Sequence, residues 1–218
     1  MSLRVPARTW GGRTTEERRA ERRARLIDAA LDMWIENGWA AVTMRGVCQR
    51  TALNDRYFYE HFADRDQLLG AAWDAVCTDV LAELAAIFTD HVAQPPLEIL
   101  RAAVTRAVRL QSDDNGRARI LLADHAGSAV LEQRRKTMLT DATDLLVVTS
   151  RPYLRPETDE LEFRMSTLAG IGGFIELLTA CRTGAMDIDG TRIIEHTCRL
   201  GALLGTQYLP PEIISPAG

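Results

Sequence analysis

Aromatic residues make up only 6% of these 218 residues, and there are just four histidines and four cysteines. Each shortage excludes something. Cys48, Cys77, Cys181 and Cys198 form no CxxC pair and have no metal-ligand spacing to histidine, so neither a zinc site nor a disulfide framework has a basis. Three of them fall on apolar helix faces and read as small buried hydrophobes. The histidines include no HExxH arrangement, and neither GxSxG nor a phosphate-binding loop occurs. The expectation is a protein that is not an enzyme and has no metal and no cofactor. No run of 18 apolar residues is present to span a bilayer, and the N-terminus lacks the apolar core of a signal peptide, which makes a reducing, cytoplasmic setting the expectation. Alternating β-branched runs are nearly absent too, so the fold class expected is all-α.

What the chain does have is Ala, Leu, Arg and Glu at helical spacing, with 46% hydrophobic residues, enough for a sizeable core. Four segments follow from the pattern: a flexible basic arm at 1–14, a helical domain at 15–66, a larger helical domain at 67–209 and a tail at 210–218. About nine helices are expected. The first runs from Thr15 to Asn37, with Ile27, Ala30, Leu31 and Trp34 on one face and Gly38 after it. A long helix follows Asp64 to about His91 and is stopped by Pro95-Pro96. The next covers Leu97 to Gln111, and Asp113 to Gly116 reads as a turn. Ala118–His125, Ser128–Thr149, Glu157–Cys181 and Gly190–Tyr208 complete the set.

The net charge of −4 hides an asymmetry. Residues 1–70 sum to +2 and the remainder to −6, while residues 1–25 alone hold eight Arg against three Glu. Basic charge gathered at one end is the footprint of a surface that meets phosphates.

The stretch Thr43–Leu69, TMRGVCQRTALNDRYFYEHFADRDQLL, organises the rest. Thr43 suits a helix N-cap, Val47 and Cys48 supply buried contacts, Thr51-Ala52-Leu53 turns the chain, and Asn54 caps a second short helix. Phe58 and Phe62, four apart, face inward. Arg56, Tyr57, Tyr59, Glu60 and His61 are left pointing elsewhere. So much arginine and tyrosine on so short a helix suggests a recognition helix for a DNA major groove.

Roughly residues 22 to 72 resemble the DNA-binding domain of the tetracycline-repressor (TetR) family of bacterial regulators. The resemblance rests on the capping Thr43, the block Phe58-Tyr59-Glu60-His61-Phe62 and the following Asp64-Arg65-Asp66-Gln67-Leu68-Leu69. The chain departs from the family at Ala52, where glycine is usual in the turn, at Gly46, where an acidic residue often completes a capping box, and at Asp55. The resemblance implies an N-terminal three-helix helix-turn-helix domain followed by a helical ligand-binding and dimerisation domain.

Roles follow from chemistry guided by that pattern. Thr43 and Arg45 are expected at phosphate, Arg45 also at a guanine edge. Asn54 caps the recognition helix beside the DNA backbone, and Arg56 and Tyr57 read bases. Tyr59 and His61 resemble the family's phosphate-contacting pair. Arg65 replaces its usual lysine as a phosphate clamp. Tyr59 as half-buried packing, His61 as a core histidine and Arg45 as a solvated charge stay open as alternatives.

In the last two helices, Phe163, Gly170, Gly173, Leu177, Ile193, Leu200 and Leu204 are expected to form a homodimer interface, with an ordinary monomer core as the open alternative. Mid-helix glycines cost up to about 1 kcal/mol each, which close helix approach would offset. By resemblance, the middle helices would bind a small-molecule effector, with Trp73, Cys77, Arg109, His125 and Phe174 as candidate lining, each open to being plain core. The function expected is a dimeric, sequence-specific transcriptional regulator acting as a repressor on a palindromic double-stranded operator. A helical adaptor that uses the same motif to bind protein is the alternative.

Overall fold

The structure, a computed structural model, describes residues 14–211 apart from 92, 114 and 124. The arm expected at 1–14 and the tail expected at 210–218 lie almost wholly outside the described residues. Among the described residues there are nine α-helices, two short 3₁₀ turns and no strand. The chain packs as two units that divide between Asp74 and Ala75, inside the fourth helix, rather than at 66/67.

The first unit is built on α1 (Thr15–Asn37). Thr14 caps it: the Glu17 amide donates to Thr14 Oγ1 at 3.1 Å, and the Thr14 amide donates to the Glu17 carboxylate at 2.6 Å. Gly38, at φ 83°, ends it. A 3₁₀ turn at Trp39–Ala41 leads to α2 (Met44–Thr51), α3 (Asp55–Tyr59) and α4 (Arg65–Asp90). All four helices contribute to the core of this unit. Leu26, Ala30 and Trp34 of α1 are buried, as are Val42, Val47, Phe58, Leu68, Leu69 and Trp73. The Trp34 and Trp73 rings lie 6.5 Å apart. Trp73 is therefore core of the first unit and lines none of the three cavities described below.

Two departures from the family pattern find physical explanations. Gly46 sits where a Cβ would come within 2.6 Å of Met33 Cε and 3.0 Å of the capping Thr43 hydroxyl. An acidic residue at 46 would have to displace the Met33 side chain from the α1–α2 contact. Ala52 takes the left-handed conformation, φ 53° and ψ 32°, at the end of α2. Its amide donates to Gln49 O and the Leu53 amide to Cys48 O, the paired bonds of a Schellman ending. Alanine does glycine's work there at some conformational cost.

The second unit holds the rest of α4, then α5 (Pro96–Asp113), α6 (Asn115–Leu121), α7 (Ala129–Ser150), α8 (Glu160–Thr183) and α9 (Gly190–Tyr208). α6 starts earlier than expected and ends before His125. That imidazole is buried, with Nε2 2.9 Å from Ile120 O. α8 starts at Glu160 rather than Glu157 because the Asp159 carboxylate accepts from the Leu161 and Glu162 amides, at 2.8 and 3.1 Å.

α5 packs against α9, α7 against α8, and α8 against α9. Close approach falls on α9. A Cβ at Gly190 would lie 2.7 Å from Val108 Cγ1, and one at Gly201 would collide with Leu100. Gly170 and Gly173 of α8 have no atom within 4 Å of a Cβ position, so nothing in their own chain explains them. Ile193, expected on a dimer face, instead forms the core of this unit with Val108 and Leu178. Its neighbour Leu177 is half-buried against the same cluster.

Candidate nucleic-acid interface

The helix-turn-helix is shaped by its caps. Thr43 Oγ1 accepts from the Gly46 amide at 3.1 Å, and Asn54 Oδ1 accepts from the Tyr57 amide at 3.2 Å. Between them the Ala52 ending reverses the chain within three residues. Phe58 is fully buried and packs on Phe62 at 5.8 Å, which fixes the roll of α3. What that roll leaves outside is polar and aromatic. The Arg56 side chain is 85% exposed and Tyr59 is 58% exposed. Thr43, Arg45 and Asn54 are exposed as well, and Tyr57 lies at the margin of exposure.

α1 braces this surface from behind with arginines at helical spacing. Arg25 donates to Thr51 O at the end of α2, and Arg19 donates to Glu60 O just past α3, at 3.2 Å. These carbonyls have no partner within their own helices, and a guanidinium satisfies them. Arg22 lies 4.9 Å over the Tyr57 ring and 3.9 Å from the Glu60 carboxylate. Arg23 lies 5.3 Å over Phe62. Glu60 also pairs with Arg56 at 3.5 Å. Much of the basic charge of residues 18–25 is thus directed at the protein's own backbone and rings. The spacing of those arginines was a signal in the sequence, but a net-charge count does not show it.

Two of the expected contact residues are placed unexpectedly. Arg65 turns inward: it donates to Val42 O, to Trp39 O at 2.7 Å and to Ala40 O at 3.4 Å, and its guanidinium lies 5.5 Å over the Trp39 ring. It ties the start of α4 to the 3₁₀ turn before α2. His61 is half-buried, and its Nε2 is enclosed with no hydrogen-bond partner. Burial, and then the nearby charges of Arg19 and Arg22, hold the imidazole below its usual titration range. His61 is thereby disfavoured as a cation.

A family model of bacterial regulatory proteins, the tetR family, matches residues 26–72, which span α1 through the start of α4. Residues 26–72 therefore carry a DNA-binding domain of the TetR type. Among curated relatives, an HTH-type transcriptional repressor of Mycobacterium tuberculosis and an HTH-type transcriptional regulator of Mycobacterium bovis are each 32% identical over 92 residues. That match covers 42% of this chain and 45% of each relative, so less than half of the relatives' length is spanned. Solved structures share the fold over most of the chain. The repressor SmeT of the Stenotrophomonas maltophilia multidrug efflux pump SmeDEF superposes with a TM-score of 0.65 at 19% identity, covering 90% of this chain and 94% of SmeT. A TetR-family regulator from Pectobacterium atrosepticum gives 0.59 at 21%, covering 90% and 98%.

The second unit scatters the residues expected in an effector pocket. Phe174 lines two adjoining cavities, Cys77 only the smaller of them, and His125 a third. Arg109 is exposed and lines none of the three. Of the expected dimer residues, Leu200 and Leu204 are exposed, Gly170 and Gly173 sit on open surface, and Phe163 packs edge-on against Tyr208 at 5.1 Å. Further large apolar residues are exposed alongside them: Leu161, Met165 and Leu168 on α8, and Leu203 on α9. Among the described residues no group of three His, Cys, Asp or Glu could hold a metal, and no helix is long and apolar enough to cross a membrane.

Proposed function

We propose that this chain is a TetR-family regulator: a dimeric, sequence-specific DNA-binding repressor that a small-molecule effector releases from its operator. The observation that carries the reading is the exposed Arg56, Tyr57 and Tyr59 surface of α3, held in place by α1. A helix of five residues has no internal stability of its own to keep such a surface presented. In this reading Arg56 and Tyr57 read base edges, while Thr43, Arg45, Asn54 and Tyr59 contact the sugar-phosphate backbone. Arg65 and His61 position that surface instead of touching DNA.

Self-association would cover the exposed Leu161, Met165, Leu168, Leu200, Leu203 and Leu204, a cluster too apolar to leave in water. Gly170 and Gly173 would then allow the two copies of α8 to approach closely. An effector is supported by the cavities of the second unit and by the SmeT–triclosan complex, which superposes with a TM-score of 0.62 at 23% identity over 91% of this chain and 96% of that one.

Selection of bound sequences from a random duplex pool tests the reading. The expected result is a palindrome with half-sites about one helical turn, roughly 34 Å, apart. An unenriched pool, together with binding that ignores salt, would instead favour a helical adaptor that docks on protein.

A further inference from the structure

α5, α8 and α9 border a half-open cavity of about 480 Å³ whose rim includes Gly170, Gly173, Leu200 and Leu204 of the face proposed for self-association, and a second of about 180 Å³ adjoins it. Phe88, Leu100, Leu146, Ile171 and Phe174 line both, so the two lie side by side along a shared wall. Ligand cavities commonly measure roughly 300–1,000 Å³. Among the described residues no Asp, Glu, Lys or Arg lines either space. His196, which lines the larger one, lies on the exposed side.

Most polar groups lie in the larger cavity, among residues the smaller one does not share, while Gln111 lines the smaller. Tyr208 is buried, and its hydroxyl lies 2.8 Å from Ser166 Oγ. Thr167, next to Ser166 and also buried, lines the same space. The Thr149 hydroxyl is already committed to its own helix, donating to Leu145 O at 2.8 Å.

We infer that this double cavity takes an uncharged, mostly apolar molecule with one hydrogen-bonding head group. The head meets Ser166, Thr167 and Tyr208, and the tail runs past Leu146, Ile171 and Phe174 into the smaller chamber. A carboxylate or ammonium head would leave water for a wall with no opposite charge, which is strongly unfavourable. A hydroxyl, ether or carbonyl keeps a hydrogen bond and loses little. The inference deepens the effector reading above and rests on it for what binding does to DNA, not for binding itself.

Three probes with one ten-carbon tail separate the possibilities: decan-1-ol, decanoate and decyltrimethylammonium, each below its micelle concentration. Their affinities for the full chain are measured by titration calorimetry at pH 8. The expected result is decanol bound at least tenfold more tightly than either ion. Thr167→Val and Tyr208→Phe should each weaken decanol several-fold, and Ile171→Trp, which blocks the inferred route of the tail between the chambers, tenfold or more. Thermal melting checks that each variant is folded; should Ile171→Trp not fold, the other two carry the test. Equal or tighter binding of decanoate or the ammonium overturns the inference, as does no binding of any probe or a folded set of variants with parental affinity. Decanol that binds without releasing DNA supports this ligand class and removes the effector part of the proposed function. Release by decanoate bound as tightly as decanol keeps that function and overturns this inference.

Discussion

The two units treat their surfaces in opposite ways. In the first, large apolar groups are enclosed and the outside of α3 is arginine and tyrosine, fixed by guanidinium groups that reach across from α1. In the second, α8 and α9 leave leucines and a methionine in water, and the polar groups of the larger cavity are turned into its wall. A surface meant for a polyanion must be held rigid and kept polar, whereas one meant for a second copy of the chain needs only complementary apolar shape. The contrast teaches that exposure alone does not identify a site. What sits behind the exposed residues does.

Phe58→Ala should break the contrast most severely. Phe58 is fully buried in the smaller unit, and truncation of such a side chain costs about 3–5 kcal/mol. Calorimetric melting should show the first unit's transition lost or shifted far down while the second unit's stays. Next comes Arg65→Ala, which leaves the carbonyls of Trp39 and Val42 without their charged donor. A loss of about 2 kcal/mol in denaturant unfolding is expected for bonds of that kind. A pure phosphate clamp would show no loss of stability.

Leu203→Glu sharpens the other side. It places a charge on the exposed apolar face of α9, so sedimentation should show self-association weakened at least tenfold, about 1.4 kcal/mol. Melting of the isolated subunit should stay unchanged, since Leu203 is 66% exposed. The smallest effect is that of pH through His61. Its folded-state titration lies below the ordinary imidazole value near 6.5, because burial and then the charges of Arg19 and Arg22 oppose the proton. The unfolded chain therefore takes up a proton first, and stability falls as pH drops below about 6.5. His61→Gln should flatten that slope in pH-dependent unfolding, and an unchanged slope would assign it to other groups.

Much of the first unit was legible in the sequence because its signals are local. Thr43 and Asn54 cap the helices their side chains announce, Phe58 and Phe62 turn inward at a spacing of four, and α1, like α9 in the second unit, has the bounds its pattern gave. Ala52 was recognisable as the turn, though its left-handed backbone was not. Elements read from composition alone were less sharp: α8 starts where Asp159 caps it, three residues later than expected.

What failed to show in the sequence depends on partners far along the chain. Arg65 looks like any surface arginine until the turn at Trp39–Ala41 is placed beneath it. Ile193 and Trp73 carry the same apolar character whether they face a partner, a ligand or their own core. The cavity of Ser166, Thr167 and Tyr208 exists only once α5, α8 and α9 are packed, and no spacing along one helix announces it.

The central claim is that the α3 surface of Arg56, Tyr57 and Tyr59 is presented for DNA. Its most direct test is the salt dependence of affinity for the duplex recovered by selection, measured for the parent chain and for Arg56→Ala. Affinity for the parent should fall steeply and log-linearly with salt as phosphate counterions are released. Arg56→Ala should lose most of its preference for that duplex over a scrambled one, by about 1–3 kcal/mol. A parent affinity indifferent to salt, or an Arg56→Ala chain that discriminates like the parent, would contradict the account.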